Sequence, residues 1–228
     1  MKGQAMKSNR LLSGIMALVL LGGSVLFTAC AQQEKSIIPD NENLSKGLSR
    51  SKDLTEYDFT KAVTQPEQYA DFSAAVKDLS VDMLRETSGG QTDNTVVSPL
   101  SAAMLLGMSG NGAGGKTATE LKMLLGDGRL STDQLNACFR YIDARLTAFN
   151  NDSACVNIGN SMWVNKDTEL KRTFLQKTLD YYNAAVYSID FSAADTAKKI
   201  NSFMSDSTNN SIAALNEDID ASAQMYLI

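Results

Sequence analysis

Residues 94–125 read NTVVSPLSAAMLLGMSGNGAGGKTATELKMLL, and the reading of this stretch decides the fold. Asn94 to Val97 closes on β-branched residues, which predicts a short buried strand. Ser98-Pro99 ends it. A serine there caps a helix, and proline suits the first helical position because its missing N–H has no intrahelical partner to lose. From Leu100 to Met108 the run is apolar on nearly every face, so the expected helix is enclosed by protein rather than half in water. Gly110, Gly112, Gly114 and Gly115 break it, and Thr117 with Glu120 has the capping-box spacing that opens a second helix carrying Leu121, Leu124 and Leu125.

The same loop admits a second chemistry. Gly110 to Thr117, GNGAGGKT, satisfies the Walker A pattern, in which backbone N–H groups cradle phosphates and a lysine, here Lys116, meets their charge. That chemistry needs a strand running directly into the loop, whereas Ser98-Pro99 starts a helix about three turns ahead of it. AVYSID, ending at Asp190, offers a companion acidic motif but reads equally as an ordinary buried strand. A helix–helix turn is the preferred reading, and a P-loop nucleotide-binding protein the remote alternative.

Ahead of this stretch, Lys7 and Arg10 precede an uncharged run from Leu11 to Ala29, apolar and rich in small residues. This is the pattern of an export signal, for which Met6 serves as a start. Phe27-Thr28-Ala29-Cys30 has the form of a bacterial lipobox, with Phe27 where leucine is usual, and makes Cys30 the lipidation site and first mature residue. The competing readings are a plain cleaved signal with an incidental cysteine and a spanning helix, the latter opposed by Gly22 and Gly23 in a short run. The expected division is a signal peptide over 1–29, a lipidated flexible tether over 30–65 and a folded domain over 66–228. The chain is then exported and anchored at the bacterial cell envelope, on its periplasmic or extracellular face, with the membrane as a partner. Losing Lys2, Lys7 and Arg10 with the signal takes the formal charge from −5 to −8. No basic stripe offsets it, which argues against nucleic acid as a partner.

The 228 residues, 43% of them apolar, suffice for one large domain or two small ones. Phe72, Val76, Leu79 and Met83 recur at helical spacing, and Ser88-Gly-Gly-Gln-Thr-Asp is the turn before the central stretch. Ser131 with Gln134 forms a capping box that opens a helix with the stripe Leu135, Phe139, Ile142, Leu146 and Phe149. Val156, Ile158, Asn160, Met162 and Val164 alternate as a strand, with Trp163 on the other face. Leu175, Leu179 and Tyr182 mark a further helix, Ala185 to Phe191 a strand, and Ser192 with Asp195 the start of a helix burying Ala197, Ile200 and Met204. Ala223 to Ile228 reads as a strand that simply stops, as expected of a truncated chain.

The inventory of reactive groups is short. There is no histidine, which removes Ser–His and Cys–His nucleophile arrangements and the commonest metal ligand. Cys138 and Cys155 lack metal-ligand spacing, are expected too far apart for a disulfide, and read as buried small residues. The carboxylates are scattered along helix faces. Neither a catalytic site, a metal centre, a cofactor nor a small-molecule substrate is expected.

Asn94-Thr-Val-Val-Ser-Pro-Leu-Ser, followed by a helix, a glycine turn and Thr117-Ala-Thr-Glu-Leu, resembles the serpin family. Asn160-Ser-Met-Trp-Val, Tyr182-Asn-Ala-Ala-Val-Tyr-Ser-Ile-Asp-Phe, Ile200-Asn-Ser-Phe and Thr208-Asn-Asn-Ser-Ile continue it in family order, over about 70–228. The resemblance implies an α+β, serpin-like fold, with amino-terminal helices packed on part of a large mixed β-sheet, and a glycine turn that joins two helices and binds no nucleotide. It implies a serine-type endopeptidase inhibitor whose bait loop, once cut by a serine or cysteine protease, inserts into the large sheet and distorts the acyl-linked enzyme. Ser98, Pro99, Ser101 and Asn160 match the family's shutter, where that sheet must part. Bait loop and reactive centre belong to the later half of serpins, so this sequence is expected to be inactive alone. A non-inhibitory serpin-like envelope protein is the nearer alternative.

Overall fold

The computed structural model describes Leu44 and residues 64–89, 94–150, 155–214 and 218–228. Among these residues four helices come first: α1 (Tyr69–Ser88), α2 (Pro99–Gly112), α3 (Gly115–Gly126) and α4 (Thr132–Thr147). Then follow β1 (Ser161–Asn165), α5 (Arg172–Tyr182), β2 (Ala185–Ile189), α6 (Thr196–Ser207) and β3 (Met225–Leu227).

Helix α1 buries Phe72, Leu79 and Met83, a face set by its seven- and four-residue spacings. Helix α2 begins as its sequence requires, with Ser98 at the N-cap accepting from the Ser101 N–H and Pro99 in the first turn. Ala102, Ala103, Met104, Met108 and even Ser109 are buried. The strand expected at Asn94 to Val97 does not form, and Val96 is 94% exposed. A strand exists only through its ladder, and among the described residues no chain pairs with this segment.

Helix α3 starts three residues earlier than its capping-box pattern suggests. Gly114 is the N-cap, Gly115 takes φ +56, and Thr117 lies inside the helix. Two glycines turn the chain tightly enough for the helix to begin without a side-chain cap. Helix α4 has the full capping box: Gln134 N–H donates to Ser131 Oγ at 3.2 Å, and Ser131 N–H to Gln134 Oε1 at 2.8 Å. Its stripe is buried at Leu135 and Phe139, half-buried at Ile142 and lost at exposed Phe149, which lies past the helix end.

These helices and Tyr182 enclose the first core. Phe72 meets Phe139 edge-on at 4.8 Å between ring centres, and Phe139 lies 5.5 Å from Tyr182. Gly107 faces both rings. A Cβ there would fall 2.5 Å from Phe139 and 2.7 Å from Tyr182 Oη, so only glycine lets α2 approach this closely.

The sheet has the order β2-β1-β3. Strands β1 and β2 are parallel and joined through α5, while β1 and β3 are antiparallel, with Trp163 opposite both Tyr187 and Tyr226. The expected strand from Val156 is shortened to Ser161–Asn165, and its alternation of inside and outside is absent. The reason is that both faces are covered. Met162 and Val164 meet Phe174 and Leu175 of α5 on one face, and Trp163 joins Ile200 and Met204 of α6 on the other. In α6 the buried partner of Ile200 and Met204 is Thr196 rather than Ala197, because the Thr196 hydroxyl reaches the carbonyl of Asp190.

The class is therefore α+β, with helices on a partial mixed sheet. Within the stretch read as a free tether, Leu44 is buried among the side chains of the sheet.

Candidate functional site

The head of α2 and the approach to β1 hold the residues that the sequence singled out. Ser98 Oγ and Ser101 Oγ are 2.8 Å apart, and Ser98 Oγ accepts the Ser101 N–H at 3.4 Å. Both serines are exposed. Asn160 lies one residue ahead of β1 rather than within it, and is buried. Its side-chain amide donates to the Tyr182 carbonyl at 2.9 Å and approaches Met104 Sδ at 3.9 Å. Met104 is one turn along α2 from Ser101. The serine pair and Asn160 thus meet the same helix at adjacent levels, without a direct bond between them among the described contacts.

From Tyr182 a polar chain continues through the helical core. Its hydroxyl donates to Asn136 Oδ1 at 2.7 Å. Asn136 and Asn111 exchange two amide hydrogen bonds, of 2.8 and 2.9 Å, and Asn111 also donates to the carbonyl of Gly107 at 3.1 Å. Asn136 is fully buried. Both its side-chain oxygen and its amide are matched, which is the condition for a polar group to sit in a core without penalty. Burial drives the Tyr182 phenol far above its ordinary range, opposed in part by the side chain of nearby Asn111, so it stays neutral and donates.

The chain therefore runs from the strand approach at Asn160, through Tyr182 and Asn136, to Asn111 in the last turn of α2. Sequence periodicity places Tyr182 on an apolar stripe and gives no role to either asparagine. The available signal is small: Asn136 lies between Leu135 and Phe139 on a buried face, and Asn111 lies among glycines.

Gly110 to Thr117 has none of the context that phosphate binding needs. Helix α2 runs into it as far as Gly112, and α3 leaves it from Gly115. Lys116 is exposed and pairs with Glu120 at 3.3 Å. Asp190, the companion acidic residue, pairs with Lys166 at 2.9 Å and accepts from Ser192. The Ser192 hydroxyl, then Lys166, then the Ser192 N–H hold its carboxyl down at about 2. These are bonds of a local turn.

Cys138 and Cys155 are both free thiols. Cys138 is buried, which pushes its thiol up to about 11 and keeps it unreactive. Cys155 is exposed, contrary to expectation, since the segment before β1 does not join the sheet. An open groove of about 690 Å³ lies between α1 and residues 95–99, lined by Val76, Val81, Leu84, Val96 and Val97 with Lys77 at its side. It holds no nucleophile–base pair. Among the described residues no helix is long and apolar enough to cross a membrane, and Cys30 lies outside them.

Comparison with known proteins bears directly on this arrangement. Residues 74–228 match the family model described as Serpin (serine protease inhibitor). Human neuroserpin is 33% identical over 155 residues, covering 67% of this chain and 38% of that protein. Mouse alpha-1-antitrypsin 1-1 is 26% identical over 174 residues, covering 75% of this chain and 42% of that protein. The crystal structure of the thermophilic serpin tengpin in its native state superposes with a TM-score of 0.63 at 26% identity, covering 82% of this chain and 45% of that one. The chain thus spans about two fifths of the length of the curated relatives it matches. With the family's model matched from Ala74 to Ile228 and the family's partial sheet and helices in place, this chain belongs to the serpin family.

Proposed function

We propose that this chain supplies the amino-terminal part of an inhibitor of serine-type endopeptidases that acts by inserting a cut bait loop into its own sheet. The observation that carries the proposal is the outer edge of β3. Ser161 and Ile228 exchange two backbone hydrogen bonds, and Asn165 N–H donates to the Gln224 carbonyl. By the alternation of an antiparallel ladder, Met225 and Leu227 therefore turn their N–H and C=O groups away from β1, toward the outer edge. Among the described residues no strand pairs there. Strand β2 forms the other edge of the described sheet, and the hydrogen-bond-ready edge proposed to accept the bait strand is that of β3.

In this reading Ser98, Pro99, Ser101 and Asn160 form the hinge over which the sheet parts. The Ser98–Ser101 contact can exchange for other partners at little cost because both hydroxyls are exposed. Asn160 holds the head of β1 to the end of α5, so β1 stays fixed to the helices while β3 keeps its ladder to β1 and offers its outer edge. The chain is exported and held at the bacterial envelope through Cys30, supported by the apolar run Leu11 to Ala29 and the FTAC sequence. A single acyl chain binds membranes only marginally, so a stable anchor needs the several chains of a lipoprotein.

The test is formation of a covalent complex that survives SDS and heat, with a trypsin-like and an elastase-like protease. Residues 30–228 alone should form none. A longer protein, in which the same residues are followed by a bait loop, should form one. Cleavage of that longer protein without a complex would instead identify a non-inhibitory relative. Mass spectrometry of the mature amino terminus tests the anchor, and an unmodified Cys30 would refute it.

A further inference from the structure

The second apolar cluster draws on every strand of the sheet: Met162 and Val164 from β1, Val186 from β2 and Met225 from β3, with Phe174 and Leu175 from α5. Its remaining member, Leu44, comes from none of these elements. It lies twenty residues ahead of Thr64, where the described helical part begins, in a stretch otherwise dominated by Ser, Lys, Asp, Glu and Asn. Yet Leu44 is only 5% exposed, as deep as Leu79 or Leu135 of the first core. A leucine in so polar a run would ordinarily remain in water. Here it is enclosed among six apolar side chains contributed by four elements.

We propose that Leu44 is a docking residue, fastening the amino-terminal stretch to the α5-covered face of the sheet. The patch of Met162, Val164, Phe174, Leu175, Val186 and Met225 is its receptor. The occupant is this chain's own leucine, and the partner chemistry is a single branched aliphatic side chain. Chain length permits it, since twenty residues between Leu44 and Thr64 reach up to about 65–70 Å when extended.

Docking also sets the length of the leash, and this part rests on the lipid-anchor reading of Cys30. Fourteen residues separate Cys30 from Leu44, an extended reach of at most about 50 Å. Without docking, the thirty-four residues from Cys30 to Thr64 would reach about 110–120 Å. Leu44 therefore more than halves the distance at which the sheet can stand from the membrane, and fixes which face of the body is tied to it.

The experiment uses the whole soluble chain from residue 30, with trypsin cleavage after Lys46 and after Lys52 timed by mass spectrometry in the same sample. Cleavage of a docked site requires the dock to open first, so its rate reports the open population. In the native chain, cutting after Lys46 should be slower than after Lys52 by about tenfold or more. Leu44→Ala and Leu44→Asp should bring the two rates together and speed hydrogen exchange in β1 and β2. Equal rates at Lys46 and Lys52 in the unaltered chain would overturn docking, whatever the variants do. So would full retention of Lys46 protection in Leu44→Asp. Because this chain carries no lipid, the result is independent of the anchor, which the mass of the mature terminus decides separately.

Discussion

Asn136→Ala should be among the most damaging single changes in the helical core, and it should reverse the effect of a second change. In the native chain Asn136 Oδ1 accepts from both Tyr182 Oη and Asn111, and its amide donates back to Asn111. Truncation takes from the Tyr182 hydroxyl, on a residue only 1% exposed, its acceptor Asn136 Oδ1. An orphaned buried polar group costs about 1–3 kcal/mol. Asn111 is only half-buried and can recover part of its loss from water. Adding a partial cavity, the expected cost is roughly 2–4 kcal/mol. Tyr182→Phe alone should cost only about 1 kcal/mol, because Asn136 Oδ1 keeps its bond from Asn111. In the Asn136→Ala background the same Tyr182→Phe change should be neutral or stabilising, since it removes the orphan. The assay is urea unfolding followed by far-ultraviolet circular dichroism, with Trp163 fluorescence as a second probe from the sheet. If Tyr182→Phe destabilises equally in both backgrounds, the two groups are uncoupled and the network argument fails.

Three further outcomes follow from single residues. Gly107→Ala places a methyl 2.5 Å from the Phe139 ring, itself held by Phe72 and Tyr182, and should cost about 1–3 kcal/mol or more in thermal unfolding; a wild-type Tm would show that α2 can shift freely. Of Cys138 and Cys155, a thiol reagent at pH 8 should modify Cys155 quickly and Cys138 only after unfolding, with peptide mapping as the readout; rapid reaction at Cys138 would place it outside the core. Asp190 has its folded-state pKa lowered to about 2, so its contribution is complete above the ordinary value of 3.8 and is lost as pH falls toward 2; Asp190→Asn should lower stability at pH 6 and lose that difference near pH 2, and a difference that persists there would contradict the assignment.

The helices were legible where local chemistry alone decides them. Ser98-Pro99 and the Ser131–Gln134 capping box act within four residues, so their signals survive in any surrounding. The errors lie where a second element decides. Val96 has the side chain of a buried strand residue but stands in water, because a strand is defined by its neighbour. The pattern of β1 predicts alternation, yet Ser161, Met162, Trp163 and Val164 are all buried, since α5 and α6 cover opposite faces. Thr117 has a capping residue's chemistry, but two glycines ahead of it make the cap unnecessary.

The site shows the same division more sharply. Ser98 and Ser101 stand out because they sit in a conspicuous run, and Asn160 through the family resemblance, whereas Asn111, Asn136 and Tyr182 are hidden because they are scattered along the chain. Each alone looks like a tolerated polar residue. Only the fold brings them within hydrogen-bond distance, and only together are they satisfied. In the proposed insertion, their arrangement would give the sheet a side fixed to the helices and an outer edge, at β3, ready to take a strand. Asn160 bonds the approach to β1 to the last turn of α5, and Tyr182 carries that link into α4 and α2. Strand β3 is held to β1 by its backbone ladder and by the Asn165 side chain, which donates to the Ala223 carbonyl just ahead of it at 3.2 Å, and to the body by apolar side chains. Hydrogen bonds of a ladder can be exchanged one for one with an incoming strand, whereas a buried side-chain network loses its partners outright if pulled apart. In the proposed insertion, the polar chain thus belongs on the side of the sheet that stays still.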